Sequence, residues 1–265
     1  VSDLRRFVLS HRPIRYWPLD EAPVAGGLPA AWRDRALRSD LTNSQMEVGD
    51  LRATGQVGGV HLVGPEGGGR STYFDTSDGL SHATPGLIAS LGGDGGGATY
   101  LGFCIVAFFT YWSGTRWDAL YAERKDGSAP NLLKIEMQDT GGPIGLSMIN
   151  NAGTAVSVAA TGVQVGDNRL HVCGFERRNV NGEQRAYLDG RLVATNTQSW
   201  GSWDAASMTS RVGHDPHDYP NSTWPGIIAH VAIFDRPLGA AFHRRLWEIG
   251  LRGLTAHPSA RRRTG

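Results

Sequence analysis

The sequence predicts an all-β chain: a two-sheet antiparallel jelly-roll sandwich with short helices at both ends. About eleven segments of strand length alternate or run apolar, with Gly, Asp, Asn and Pro between them. Glycine accounts for 36 of 265 residues, about twice the usual share and without a collagen period, as many tight turns would require. Helical periodicity is confined to the two ends. Regularly spaced short strands of this kind argue for a sandwich or barrel, and a jelly roll is the common large solution.

The elements follow in order. SDLRRFVLSHRP offers Ser2 or Asp3 as N-cap, Leu4, Phe7 and Val8 on one face, and Pro13 as a stop. Strand-like segments then run through IRYWPLDE, STYFDTS, LGFCIVAFFTYW, ALYAERK, LLKIEMQ, IGLSMIN, VSVAATG, RLHVCGFERR, QRAYLDGRLVAT, TSRVGH and GIIAHVAIFDR. In RAYLDGRLVAT two alternating runs meet at Asp189-Gly190. That dipeptide tolerates the positive φ angles of a two-residue type I′ turn, so a hairpin is expected. GPEGGGR and LGGDGGGAT read as loops, because neither joins a strand to a helix as a phosphate cradle would. Near the end, Pro237 starts a helix, Phe242, Leu246 and Ile249 recur at i, i+4 and i+7, and Gly250 or Gly253 is the expected terminator.

A chain of this length can hold one large β domain or two small ones, and the expectation is one domain with tails, stable without metal or disulfide staples. The divisions expected are a helical lead-in over 1–12, the jelly roll over 13–252 and a basic tail over 253–265. Lys and Arg total 26 against 25 Asp and Glu, so no overall field would draw the protein to nucleic acid or to anionic lipid. Arg5, Arg6, Arg12 and Arg15 at one end and Arg261 to Arg263 at the other read as solvated tails, with docking onto an acidic partner as the alternative. Cys104 and Cys173 sit in apolar runs and read as buried free thiols, with a mutual disulfide as the alternative. The longest apolar run, Leu101 to Phe109, is too short to span a bilayer, and the first residues do not make a secretory signal. Synthesis in the cytoplasm, or removal of a leader before Val1, are the two expectations.

The order of segments resembles the laminin G-like jelly roll of the concanavalin A-like lectin superfamily. YWPLDE (Tyr16 to Glu21) resembles the family's opening strand, and STYFDTSDGL stands where it has a Phe-Asp-Gly strand. FCIVAFFTYW matches the central strand, RLHVCGF and AYLDGRLVAT the following pair, and GIIAHVAIFDRPL the closing strand. Arg169 replaces the usual Trp, and His230 the usual Asp, which removes a carboxylate the family sometimes uses for loop fixing or calcium. The opening FVLSHRPIRYWPLDE is also similar to laminin G-like proteins of actinobacterial phages. That resemblance implies a virion component, a minor tail or decoration subunit made in the host cytoplasm, forming a homo-oligomer with other virion proteins as neighbours.

Glycosidases pair two carboxylates, roughly 5 Å apart in retaining enzymes. Here Glu136 and Asp139 are three apart, which in a strand sends them to opposite faces. No Gly-x-Ser-x-Gly or His-Glu-x-x-His motif is present. The expectation is therefore a non-enzymatic virion protein without a required cofactor; the alternative is a carbohydrate-binding lectin module, for host adsorption or secreted by a bacterium, and a degenerate glycan-cleaving enzyme is the weaker reading. GHDPHDYPNSTWPG gathers His214, Asp215, His217 and Asp218, types that could hold a cation such as calcium; the alternative is a turn-rich loop capping its own backbone. Trp200, Trp203, Asp204, Tyr219 and Trp224 form the expected contact set for a host-surface carbohydrate or a protein partner, because an indole in a loop can stack on a sugar ring. Trp112 and Trp117 also fall in loops or at strand ends, whereas Trp17 reads as core.

Overall fold

A computed structural model describes residues 3–19, 31–32, 35–36, 41–43, 51–53, 70–74, 80–82, 102–111, 117–125, 132–138, 142–149, 153–167, 169–178, 182–198, 208–215 and 223–255. The chain opens with α1 (Asp3–Ser10) and β1 (Arg15–Trp17). Five short strands follow: β2 (Ala31–Trp32), β3 (Leu41–Asn43), β4 (Leu51–Ala53), β5 (Arg70–Phe74) and β6 (Leu80–His82). Longer ones come next: β7 (Gly102–Phe109), β8 (Ala119–Lys125), β9 (Leu132–Met137), β10 (Ile144–Ile149), β11 (Ala155–Ala159) and β12 (His171–Arg178). Last are β13 (Glu183–Leu188), β14 (Arg191–Asn196), β15 (Met208–Val212), β16 (Gly226–Phe234) and α2 (Ala240–Thr255).

Two antiparallel sheets result. The first has the order β14-β13-β12-β7-β16-β5-β4, with β1 also paired to β16; the second runs β11-β10-β9-β8-β15-β6-β3-β2. Every segment expected to be a strand contributes one, and the expected jelly-roll sandwich is what forms. Strands β2, β3, β4 and β6 were not foreseen, because two or three residues carry no readable alternation.

The sheets enclose one core and the helices a second. Along β7, Phe103, Ile105, Ala107 and Phe109 face the second sheet, joining Trp17, Ile135, Leu146 and Val231. Cys104, Val106 and Phe108 face the other way, against Leu4, Val8, Phe242, Leu246 and Ile249 of the helices. Both terminal helices thus cover the same sheet face, and Phe7 stacks on Phe242 with ring centroids 5.3 Å apart. Cys104 and Cys173 are free and buried, and burial pushes the Cys173 thiol up to about 12.

The foreseen hairpin is present. Asp189 and Gly190 have φ of 49° and 76°, and Leu188 pairs with Arg191 across a two-residue loop. Asp189 does more than turn the chain, since its Oδ1 accepts the Val172 amide at 3.0 Å and its Oδ2 lies 2.9 Å from His171 Nδ1. The other ring nitrogen of His171 lies 3.0 Å from Asp167 Oδ1. Burial works against the imidazolium, but hydrogen bonds and charge from Asp189 and Asp167 outweigh it and raise the His171 pKa.

Gly250 and Gly253 do not end α2, which continues to Thr255. At Gly250 a Cβ would lie 2.5 Å from Cε1 of Phe108, so this glycine permits close helix–sheet approach. Gly250→Ala is expected to gain helix propensity but lose more by overpacking, a net destabilisation of roughly 1–2 kcal/mol. The midpoint of urea unfolding measures it.

Candidate functional site

Strands β8 and β9 lie side by side at the centre of the second sheet. Tyr121, Leu133, Ile135 and Met137 enter the inter-sheet core, so the alternation turns Arg124, Lys134 and Glu136 to the opposite face. These three are nevertheless buried. Asp215, just beyond β15, joins them and is wholly inaccessible.

The four charges neutralise one another. Arg124 Nη1 donates to Asp215 Oδ2 at 3.1 Å. Lys134 Nζ lies 2.7 Å from Glu136 Oε2 and 3.4 Å from Asp215 Oδ2, so one ammonium stands between two carboxylates. Glu136 Oε1 accepts the Ser147 hydroxyl at 2.6 Å and the Gln138 amide at 3.1 Å. The third contact of Lys134 is to the backbone: Nζ donates to the Trp117 carbonyl at 3.2 Å.

Trp117 is the exposed element above this network. Its side chain is 39% accessible, and its φ of 77° is unusual for a bulky residue. The conformation is held from both sides of the peptide unit, because the Trp117 amide donates to the Met137 carbonyl at 2.7 Å while Lys134 takes the carbonyl. A buried charge network thereby helps fix the backbone that carries an exposed indole. Next to it, Tyr111 donates to Asp118 Oδ2 at 2.7 Å, and burial together with that carboxylate raises the tyrosine pKa.

Of the residues singled out in the sequence, Trp200, Trp203, Asp204, His217, Asp218 and Tyr219 lie outside the described residues. Trp224 is in the core, contrary to the expectation of a contact residue: it is 0% exposed, donates its indole N–H to the Thr110 carbonyl at 2.9 Å and meets Phe109 and Tyr111 edge-on. His214 is also buried, and burial followed by the charge of Arg211 lowers its pKa to about 4. The Asp215 carboxylate faces Arg124 and Lys134. His230 lies at a bulge of β16 with φ 52°, its Nδ1 2.8 Å from the Tyr16 hydroxyl. Arg124, Lys134 and Ser147 were missed. The available signal was Lys134 and Glu136 at i and i+2 of an otherwise apolar strand, which places both on one face.

A two-sheet antiparallel sandwich with helices packed on one outer face defines a lectin-type jelly roll by architecture. Residues 89–241 match the family model of the concanavalin A-like lectin/glucanases superfamily, and the chain belongs to that family. No curated protein sequence matches it. Among solved structures it is similar to domain 4 of AbnA, an extracellular arabinanase of Geobacillus stearothermophilus solved with arabinotriose: 11% identity, TM-score 0.58, covering 88% of this chain and 97% of that one. It is also similar to the botulinum neurotoxin serotype G binding domain, at 12% identity and TM-score 0.55, covering 89% of this chain and 51% of that one. A W1252A mutant titled HCR D/C VPI 5995 aligns at 10% identity and TM-score 0.59, covering 90% of this chain and 52% of that one. The chain thus spans nearly all of the arabinanase domain and about half of the other two.

Two outcomes follow for stability. Asp215→Asn leaves Arg124 and Lys134 buried without their shared carboxylate, and should cost about 3–5 kcal/mol in chemical denaturation. The two histidines act on opposite limbs of the pH profile. His171, raised on folding, stabilises fully below its unfolded value of about 6.5, and this is lost as pH rises through its folded value. His214, depressed on folding, costs stability as pH falls from about 6.5 towards 4, where the unfolded chain binds the extra proton. In thermal melts across pH, His171→Asn should flatten the alkaline limb.

Proposed function

We propose that this chain is a non-enzymatic carbohydrate-binding domain, carried on a phage particle as a minor tail or decoration subunit that contacts the host surface. The observation that carries the binding role is Trp117. Its exposed indole stands on a backbone hydrogen-bonded at both N–H and C=O, and offers a sugar ring a stacking platform. The network beneath it supports a non-catalytic reading, because Glu136 and Asp215 share the Lys134 ammonium between them. A glycosidase needs one carboxyl free to donate a proton and another free to attack or to activate water.

The fold shared with an arabinanase domain solved with arabinotriose recommends that trisaccharide as the first ligand to try. The virion assignment is supported by the lead-in FVLSHRPIRYWPLDE, and mass spectrometry of purified particles tests it directly.

Affinity electrophoresis against arabinan and host cell-wall polysaccharides is expected to show retardation without sugar release. Trp117→Ala should weaken binding by about tenfold, the contribution expected of one aromatic contact. Release of reducing sugar, or retardation unchanged in the variant, would overturn the reading.

A further inference from the structure

A cleft of about 550 Å³ lies elsewhere, between the β13–β14 turn and α2. Its size is that of a small-ligand site. One wall is a single face of α2 formed by Ala240, Ala241, Arg244, Trp247 and Glu248, and the other is Asp189, Gly190 and Arg191. The walls meet at Gly190, where a Cβ would lie 3.0 Å from the Trp247 Cβ.

The charges of the cleft are unequally engaged. Asp189 accepts the Val172 amide and faces His171, and Glu248 accepts from Arg245 at 3.3 Å. Arg191 and Arg244 are exposed, and their side chains make no hydrogen bond or ion pair among the described residues. Among the described residues, two guanidiniums without partners therefore face a cleft whose carboxylates already have them. Half-buried Trp247 supplies a flat apolar wall, and Ala240 and Ala241 leave room beside it.

We propose that this cleft is a second binding site, for an anionic saccharide whose ring lies on Trp247 and whose carboxylate or phosphate is held by Arg191 and Arg244. Guanidinium forks match both anions bidentately, and a neutral sugar would leave both charges unused. The site is separate from the Trp117 face and stands whether or not that face binds sugar.

The test is calorimetric titration of the whole chain with trigalacturonic acid, a phosphorylated maltotriose and neutral arabinotriose. At least one acidic oligomer should bind, more weakly at high salt, and the two acidic arms distinguish carboxylate from phosphate. The Arg191→Ala/Arg244→Ala variant should lower that affinity at least tenfold. Both side chains are exposed, so its melting temperature should match the parent. Trp117→Ala should bind the acidic oligomer as the parent does. Failure of both acidic oligomers to bind, equal affinity in the double-arginine variant, or loss of acidic binding in Trp117→Ala would each overturn the proposal.

Discussion

The first sheet has to be buried on both faces, and much of the architecture follows from that. Strand β7 sends Phe103, Ile105 and Phe109 towards the second sheet and Cys104, Val106 and Phe108 away from it. Burying one such side chain is worth about 1.5–3 kcal/mol, so a face of them left in water would be a heavy loss. Helices α1 and α2 meet that need from opposite ends of the chain. The position of α2 is further set by Glu176 on β12, whose Oε1 accepts the amides of Leu238 and Gly239 and lies 2.9 Å from His243 Nε2. Gly174 leaves the space in which the His243 ring rests against the sheet.

The second sheet solves a different problem. Its face away from the core buries Arg124, Lys134 and Glu136, and Asp215 with the polar groups of Ser147 and Gln138 offsets the cost of that burial. The consequence for function is indirect but specific. The Lys134 ammonium, reaching the Trp117 carbonyl, helps hold the backbone of an exposed aromatic residue at an otherwise unfavourable φ.

Particular residues show why some features could be read early. The Asp189-Gly190 turn was legible because its φ angles are a local property of the dipeptide. The capacity of Asp189 to clamp His171 was not, since the other members of the clamp arrive from the neighbouring strand β12 and the segment before it. Trp224 illustrates the same limit. Its flanking Pro and Gly suggest a loop, and only the Thr110 carbonyl and the rings of Phe109 and Tyr111 make its place the core. Gly250 looked like a helix stop by composition, whereas the contact with Phe108 makes it a point of close approach.

The sequence by itself determined what depends on period and on local dihedral preference: the strands from β7 onward, the terminal helices, the hairpin turn and hence the sandwich. Tertiary structure alone decided which charges meet, as with Lys134 and Asp215, and which aromatics stay in water, as with Trp117 rather than Trp224. The physical reason is range. Side-chain alternation and turn angles act over two to four residues, whereas burial and charge pairing depend on segments that become neighbours only when the sheets form.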